Sequence, residues 1–88
     1  MGGDDIELRR KRLLYRSAYR GNRENDIVLG QFARAHLHEF DAAQLDQYEA
    51  LLGVPDNELF DWLIDRAVPP TDQDGEVWRL LKAFRVRF

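Results

Sequence analysis

Arg20-Gly21-Asn22-Arg23-Glu24 separates two strongly helical stretches, and a helix breaker there carries opposite charges on its two sides. Glycine just past a last helical turn is the usual left-handed cap, because it has no Cβ to clash. Upstream, Asp4 to Tyr19 reads as a helix. Asp4, Asp5 and Glu7 stand at its start, where the helix dipole favours anions, and basic residues crowd its later turns. Ile6, Leu13, Leu14 and Ala18 share one face, and Leu8, Tyr15 and Tyr19 form a neighbouring stripe. Arg9, Arg10, Lys11, Arg12 and Arg16 fill most of the remainder. The two tyrosines read either as half-buried side chains with wet polar tips or as a platform for a base or ring.

Downstream, Asn22 or Asn25 is placed to cap a second helix, roughly Glu24 to Phe40. Leu29, Phe32, Ala33, Leu37 and Phe40 recur at the spacing of one buried stripe, widened by Val28. Gly30 within it costs about 1 kcal/mol relative to alanine, which suggests close approach of a neighbouring helix. Asp41 followed by Gln44 is a capping-box variant and opens a third helix to Leu52, with Leu45, Tyr48, Leu51 and Leu52 inward and Gly53 at its end. A fourth helix, about Pro55 to Arg66, turns Leu59, Phe60, Leu63, Ile64 and Ala67 inward and Asp56, Glu58, Asp61 and Asp65 outward. Trp62 falls off that stripe, so it either closes one edge of the core or joins a surface patch. After Val68-Pro69-Pro70, Thr71 with Asp74 reads as a cap before a last helix of Val77, Leu80, Leu81, Phe84 and Phe88. Lys82, Arg85 and Arg87 stand near its end. There is no alternating strand pattern and no internal repeat. The expectation is all-α: a single-domain five-helix bundle over residues 1–88, with residues 1–4 flexible.

Composition narrows the function. A chain of 88 residues is one small domain, and 44% hydrophobic residues with five Phe, three Tyr and two Trp supply its core. The absence of cysteine removes disulfides, thiolate catalysis and Cys-based zinc sites. No apolar run approaches the ~20 residues that span a bilayer, so no membrane insertion is expected. Met1-Gly2-Gly3-Asp4-Asp5 lacks the basic start and apolar stretch of a signal peptide, and Ile6 stands where a myristoylation signal wants Ser or Thr.

The net charge of −3 hides a segregation. Residues 1–24 hold seven Lys/Arg against four Asp/Glu (+3), residues 25–76 two against twelve (−10), and residues 77–88 four against none (+4). That acidic middle makes nucleic acid a poor default partner, although the basic first helix keeps a nucleic-acid-binding domain as the alternative. His36 and Glu39 are two ligands, too few for a closed zinc site, and the acidic fourth helix reads as a solvated face. No nucleophile–base pair or metal set can be named, so no catalytic residue is expected.

Arg20-Gly-x-x-Glu24 followed by Asp26 and an apolar helix resembles the signature of the SdhE-type FAD assembly factors. Arg9-Arg10-Lys11-Arg12-Leu13-Leu14-Tyr15-Arg16-Ser17, Leu29-Gly30-x-Phe32-Ala33, Asp46-x-Tyr48-x-x-Leu51-Leu52, Pro55-Asp56-x-x-Leu59-x-Asp61-Trp62 and Leu80-Leu81-x-Ala83-Phe84 also look like that family. Asn22-Arg23 and Asn25 depart from it, standing where bulkier apolar residues are expected. The resemblance implies a non-enzymatic chaperone that binds the flavoprotein subunit of succinate dehydrogenase or fumarate reductase and promotes covalent FAD attachment there. On that reading it holds no cofactor stably, is a monomer when free, and works in a bacterial cytoplasm or, in a eukaryote, the mitochondrial matrix. It also implies that Arg20, Gly21, Glu24 and Asp26 form the partner-binding surface. Arg20 would make bidentate contacts to a partner's carboxylate or carbonyls, Glu24 would accept from donors opposite, and Gly21 would let a backbone come close. The residues alone leave a second reading open, in which Gly21 is only a helix cap and the charges only complement helix dipoles.

Overall fold

The computed structural model describes the backbone of residues 2–85 and the side chains of residues 5–84. Five α-helices follow one another: α1 (Gly2–Ala18), α2 (Arg23–His36), α3 (Ala42–Leu52), α4 (Asp56–Leu63) and α5 (Glu76–Arg85). Short 3₁₀ turns occupy Leu37–Glu39 and Thr71–Gln73, and no strand occurs among the described residues. The all-α five-helix bundle expected from periodicity is the fold observed. α1 packs chiefly along α2 and also on α3, while α5 closes against α3 and α2.

Leu13, Leu29, Phe32, Leu45, Tyr48, Leu51, Leu59, Val77 and Leu81 are all buried, so every α-helix sends residues of its predicted stripe into the core, as does Leu37 from the first 3₁₀ turn; Leu80, expected inside on α5, is exposed instead. Rings of Phe32, Phe40, Tyr48 and Phe84 cluster with centroids 5.6–6.5 Å apart in tilted or edge-on pairs, the geometry that ring quadrupoles favour. His36 joins them, 4.7 Å from the Phe32 ring. Trp62 closes an edge of the core, buried and T-shaped against Trp78 at 6.0 Å. At Gly30 an added Cβ would lie 3.7 Å from Ala18 Cα, so α1 and α2 do approach there. That separation is ordinary van der Waals contact and does not itself demand glycine.

Several boundaries differ from the sequence expectation. α1 already includes Gly2 and Gly3, and it stops at Ala18 rather than Tyr19. α2 ends at His36, where the backbone tightens into the Leu37–Glu39 3₁₀ turn. The Asp41–Gln44 capping box is complete: Asp41 Oδ1 accepts from the Gln44 N–H at 2.9 Å, and Gln44 Oε1 accepts from the Asp41 N–H at 3.0 Å.

α4 is shorter than expected, ending at Leu63 rather than Arg66. Asp65 enters the left-handed region (φ 63°), the Arg66 N–H turns back to the Asp61 carbonyl at 2.8 Å, and the Asp65 N–H reaches Trp62 O at 3.3 Å. This is a Schellman ending with aspartate in the position glycine usually takes. Ala67, expected inside, is therefore exposed.

Nor do Thr71 and Asp74 cap the last helix, which begins at Glu76. One of its first-turn N–H groups is met from α3 instead: the Val77 N–H donates to Gln47 Oε1 at 3.1 Å. Arg87 and Phe88, and the side chain of Arg85, lie outside the described residues.

Candidate functional site

The turn between α1 and α2 is held from three directions. Gly21 adopts φ +100°, where only glycine is unstrained. Asn22 caps α2, its Oδ1 accepting from the Asn25 N–H at 3.0 Å. Asp26, in the first turn of α2, reaches back across the junction. Its Oδ1 accepts from the Arg20 N–H at 2.8 Å and its Oδ2 from the Gly21 N–H at 3.3 Å.

Arg20 does not reach outward as the motif suggested. Its side chain is only 11% exposed and lies across the α3–α4 corner. Nη1 donates to the Leu52 carbonyl at 2.6 Å, Nη2 to Val54 O at 2.7 Å, and Nε to Asp56 Oδ1 at 2.5 Å. The planar fork satisfies two carbonyls at the end of α3 and one carboxylate at the start of α4 together, which a lysine could not match. Asn25 completes the cluster from beneath. It is fully buried, and its Nδ2 donates to Asp56 O at 2.9 Å and to Asp56 Oδ1 at 3.3 Å. That explains a polar residue at Asn25: the surface it packs on is the polar start of α4.

The four motif residues therefore divide. Arg20 and Asp26 face the protein and fix the turn. Gly21 and Glu24 face solvent: nothing lies within 4 Å of where a Gly21 Cβ would stand, and the exposed Glu24 carboxylate has no partner among the described residues.

Tyr15 and Tyr19 flank this turn. They are 67% and 70% exposed, not half-buried, and pack against each other with rings tilted by 36° and centroids 4.7 Å apart. Together with Arg16, Arg20, Pro55 and Asp56 they line a cleft beside Gly21, and Ile27 adds an exposed apolar side chain on the α2 side. Asp56 escaped the sequence reading as a site residue. Its signals were the Pro55-Asp56 helix start, which reads as an ordinary cap, and its place in one of the stretches that resemble the family.

Beneath the turn, Ser17 and Tyr48 are both fully buried, with their hydroxyl oxygens 2.6 Å apart. Burial pushes the Tyr48 phenol up to about 12, against smaller downward pulls from the Ser17 hydrogen bond and the Arg20 and Arg16 charges. On the flank of α1, Arg9 donates to Asp46 at 2.6 Å and to Glu49 at 2.8 Å. Those hydrogen bonds raise its pKa above the usual arginine value. Among the described residues no group of three or more His, Cys, Asp and Glu side chains is placed to hold a metal ion. No helix among them is long and apolar enough to cross a membrane.

Known proteins resemble this chain over most of its length. Residues 11–85, which include α2 to α5 and the last eight residues of α1, match the family described as flavinator of succinate dehydrogenase. The chain belongs to that family. A succinate dehydrogenase assembly factor 2 of Dictyostelium discoideum is 41% identical over 78 residues, covering 89% of this chain and 55% of the relative. Its namesake in Danio rerio is 39% identical over 84 residues (93% and 53%), and assembly factor 2-B of Drosophila melanogaster is 40% identical over 81 (90% and 52%). The chain thus spans about half the length of the curated relatives it matches. All three relatives are named mitochondrial, and all are named as assembly factors rather than catalysts.

Proposed function

We propose that this flavinator-family chain docks on the flavoprotein subunit of succinate dehydrogenase through the Gly21 turn and promotes covalent attachment of FAD to that subunit. The flavoprotein of fumarate reductase is a second client of the same kind. The observation that carries the reading is the Gly21 position itself: solvent-open, in a backbone conformation that favours glycine, and clamped from inside by Arg20 and Asp26. A turn that must offer a fixed shape to another protein gains from such a clamp, because a preorganised surface loses less entropy on binding.

In this reading Gly21 admits the partner's backbone, Glu24 accepts from donors opposite, and the Tyr15–Tyr19 pair supplies rigid apolar area. Arg20 and Asp26 position the turn without touching the partner. The chain carries no FAD of its own. It favours one arrangement of the flavoprotein's mobile parts, in which that subunit's own histidine meets the flavin. The compartment is the one where succinate dehydrogenase matures, the mitochondrial matrix or a bacterial cytoplasm. Nucleic acid is a weaker reading, because Arg9 and Arg16 on the basic helix are already paired with Asp46 and Glu49.

Pull-down of apo flavoprotein by wild type, Gly21→Ala and Gly21→Arg tests the proposal, with thermal melts as a check on folding. Both substitutions meet the same backbone strain, about 1 kcal/mol. Gly21→Arg alone adds bulk outside, so it should stay folded and lose the partner while Gly21→Ala retains most binding. Full affinity in the arginine variant contradicts the proposal.

A further inference from the structure

The ion pairs of this domain leave an uneven remainder. Beyond α2, each described Lys or Arg side chain has a carboxylate: Arg66 with Asp61 at 4.0 Å, Arg79 with Asp74 at 3.5 Å and Lys82 with Asp65 at 2.5 Å. On α1, the cations Arg9, Arg10 and Arg16 are paired, and Arg20 in the turn is paired too. Four described cations make no ion pair, namely Lys11, Arg12, Arg23 and Arg34, and all four stand on α1 or α2.

Two of them share a feature of shape. Lys11 and Arg34 line a cleft between α1 and α2 whose floor includes Leu14 and Leu37. A second cleft, bounded by Tyr19, Asp26, Ile27 and Gln31, also has Arg34 in its wall. Both depressions are lined by Arg34, and together they mark out a groove along the α1–α2 seam from beside the Gly21 turn toward His38. Its two carboxylates are already engaged: Asp26 holds the Arg20 and Gly21 N–H groups, and Glu7 pairs with Arg10. From Ile27 to His38 the seam is about 16 Å long at the helical rise. An extended chain of about five residues covers that distance.

We infer that this groove seats a short, extended, acidic segment of the flavoprotein partner, entering over Ile27 next to the Gly21 turn and placing carboxylates against Arg34 and Lys11. The inference rests on the docking reading above and names the chemistry of one partner element. Charge complementarity selects the occupant. In a domain of net charge −3, an acidic segment is drawn to a seam where described cations lack internal ion-pair partners and is repelled by the acidic α3–α4 side. Ile27, 46% exposed, offers an apolar anchor at the entrance.

The test compares Lys11→Glu/Arg34→Glu with Arg66→Glu/Arg79→Glu, which alters net charge equally but lies off the groove, and with Gly21→Arg. The readout is affinity for apo flavoprotein at low and high salt. Lys11 and Arg34 are exposed, so their variant should melt like wild type. It should bind roughly tenfold or more weakly at low salt, with the deficit shrinking at high salt, while the off-groove pair binds as wild type does. Equal weakening by both double variants overturns the inference, because net charge alone would then explain it. Unchanged binding by the groove variant while Gly21→Arg has lost the partner overturns the groove and leaves the docking turn standing. Unchanged binding by Gly21→Arg removes both. Tight binding of a DNA duplex at moderate salt, abolished in the groove variant, reassigns the groove to nucleic acid and also overturns it.

Discussion

Two corners of this domain are closed by the same device and differ in what surrounds them. At the end of α3, Arg20 donates to two carbonyls, Leu52 O and Val54 O, and to a carboxylate, Asp56. At the end of α4, Lys82 donates to two carbonyls, Trp62 O at 3.2 Å and Leu63 O at 3.1 Å, and to a carboxylate, Asp65. Each cation answers the unsatisfied carbonyls and negative dipole end of a helix. The Lys82 corner joins two core helices beneath the buried Trp62–Trp78 pair. The Arg20 corner instead carries an exposed glycine at φ +100° on the adjoining residue and two exposed tyrosines alongside. Hydrogen bonds alone do not separate scaffold from site. The contrast lies in what the clamp holds in place, a core edge in one corner and an outward surface in the other.

Breaking the first corner should have the largest effect. Arg20→Ala takes the guanidinium from Asp56, which keeps only the longer Asn25 bond, and leaves two carbonyls without that donor in a mostly buried cluster, a loss of about 2–4 kcal/mol in urea titration. Arg20→Lys should recover only part of that, since one ammonium cannot reach all three acceptors in a fork. Both variants should bind the flavoprotein less well than their stability predicts, because the Gly21 turn is released.

A pH measurement sharpens the same comparison from underneath. The Tyr48 phenol is raised from 10.0 to about 12 by burial, so the folded state keeps its proton where the unfolded chain has lost it. A raised folded value means that this contribution is intact below pH 10 and fades as pH climbs from there to about 12. The loss is on the order of 2–3 kcal/mol. Thermal melts across that window should fall steeply in wild type, and Tyr48→Phe should flatten the fall. A slope unchanged by the substitution would assign the alkaline loss to other groups.

The smallest effect belongs to the second corner. Lys82→Ala removes a single, partly exposed ammonium, and the Schellman ending of α4 already satisfies part of the same backbone. A destabilisation of about 1 kcal/mol is expected, with unchanged flavoprotein binding. Loss of binding on the scale of the Arg20 variants would erase the distinction between the corners.

Local signals carried most of the fold into the sequence. The stripes Leu29-Phe32-Ala33 and Val77-Leu81 and the Asp41–Gln44 box are read within one or two helical turns, and all are present in the structure. Gly21 takes the left-handed φ expected of it, but it is not the cap of α1, which stops at Ala18, and its N–H goes to Asp26 instead. The misses share a different cause. Arg20 bonds to groups 32–36 residues away, two of them backbone carbonyls that no side-chain pattern announces. The start of α5 takes its cap from Gln47, 30 residues earlier, so Thr71 and Asp74 were the wrong local candidates. α4 ended early because an aspartate adopted the left-handed conformation that composition assigns to glycine. Likewise, Tyr15 and Tyr19 look like a core edge by spacing, yet among the described residues no element covers them.

The most direct measurement follows flavin itself. Apo flavoprotein is incubated with FAD alone, with the wild-type chain, or with Gly21→Arg, and covalently held flavin is read by in-gel fluorescence. Strong fluorescence with wild type, and a level near the FAD-alone background with a folded Gly21→Arg, is the predicted result. Equal fluorescence from the two chains would contradict the assignment of the Gly21 turn as the surface through which this protein acts.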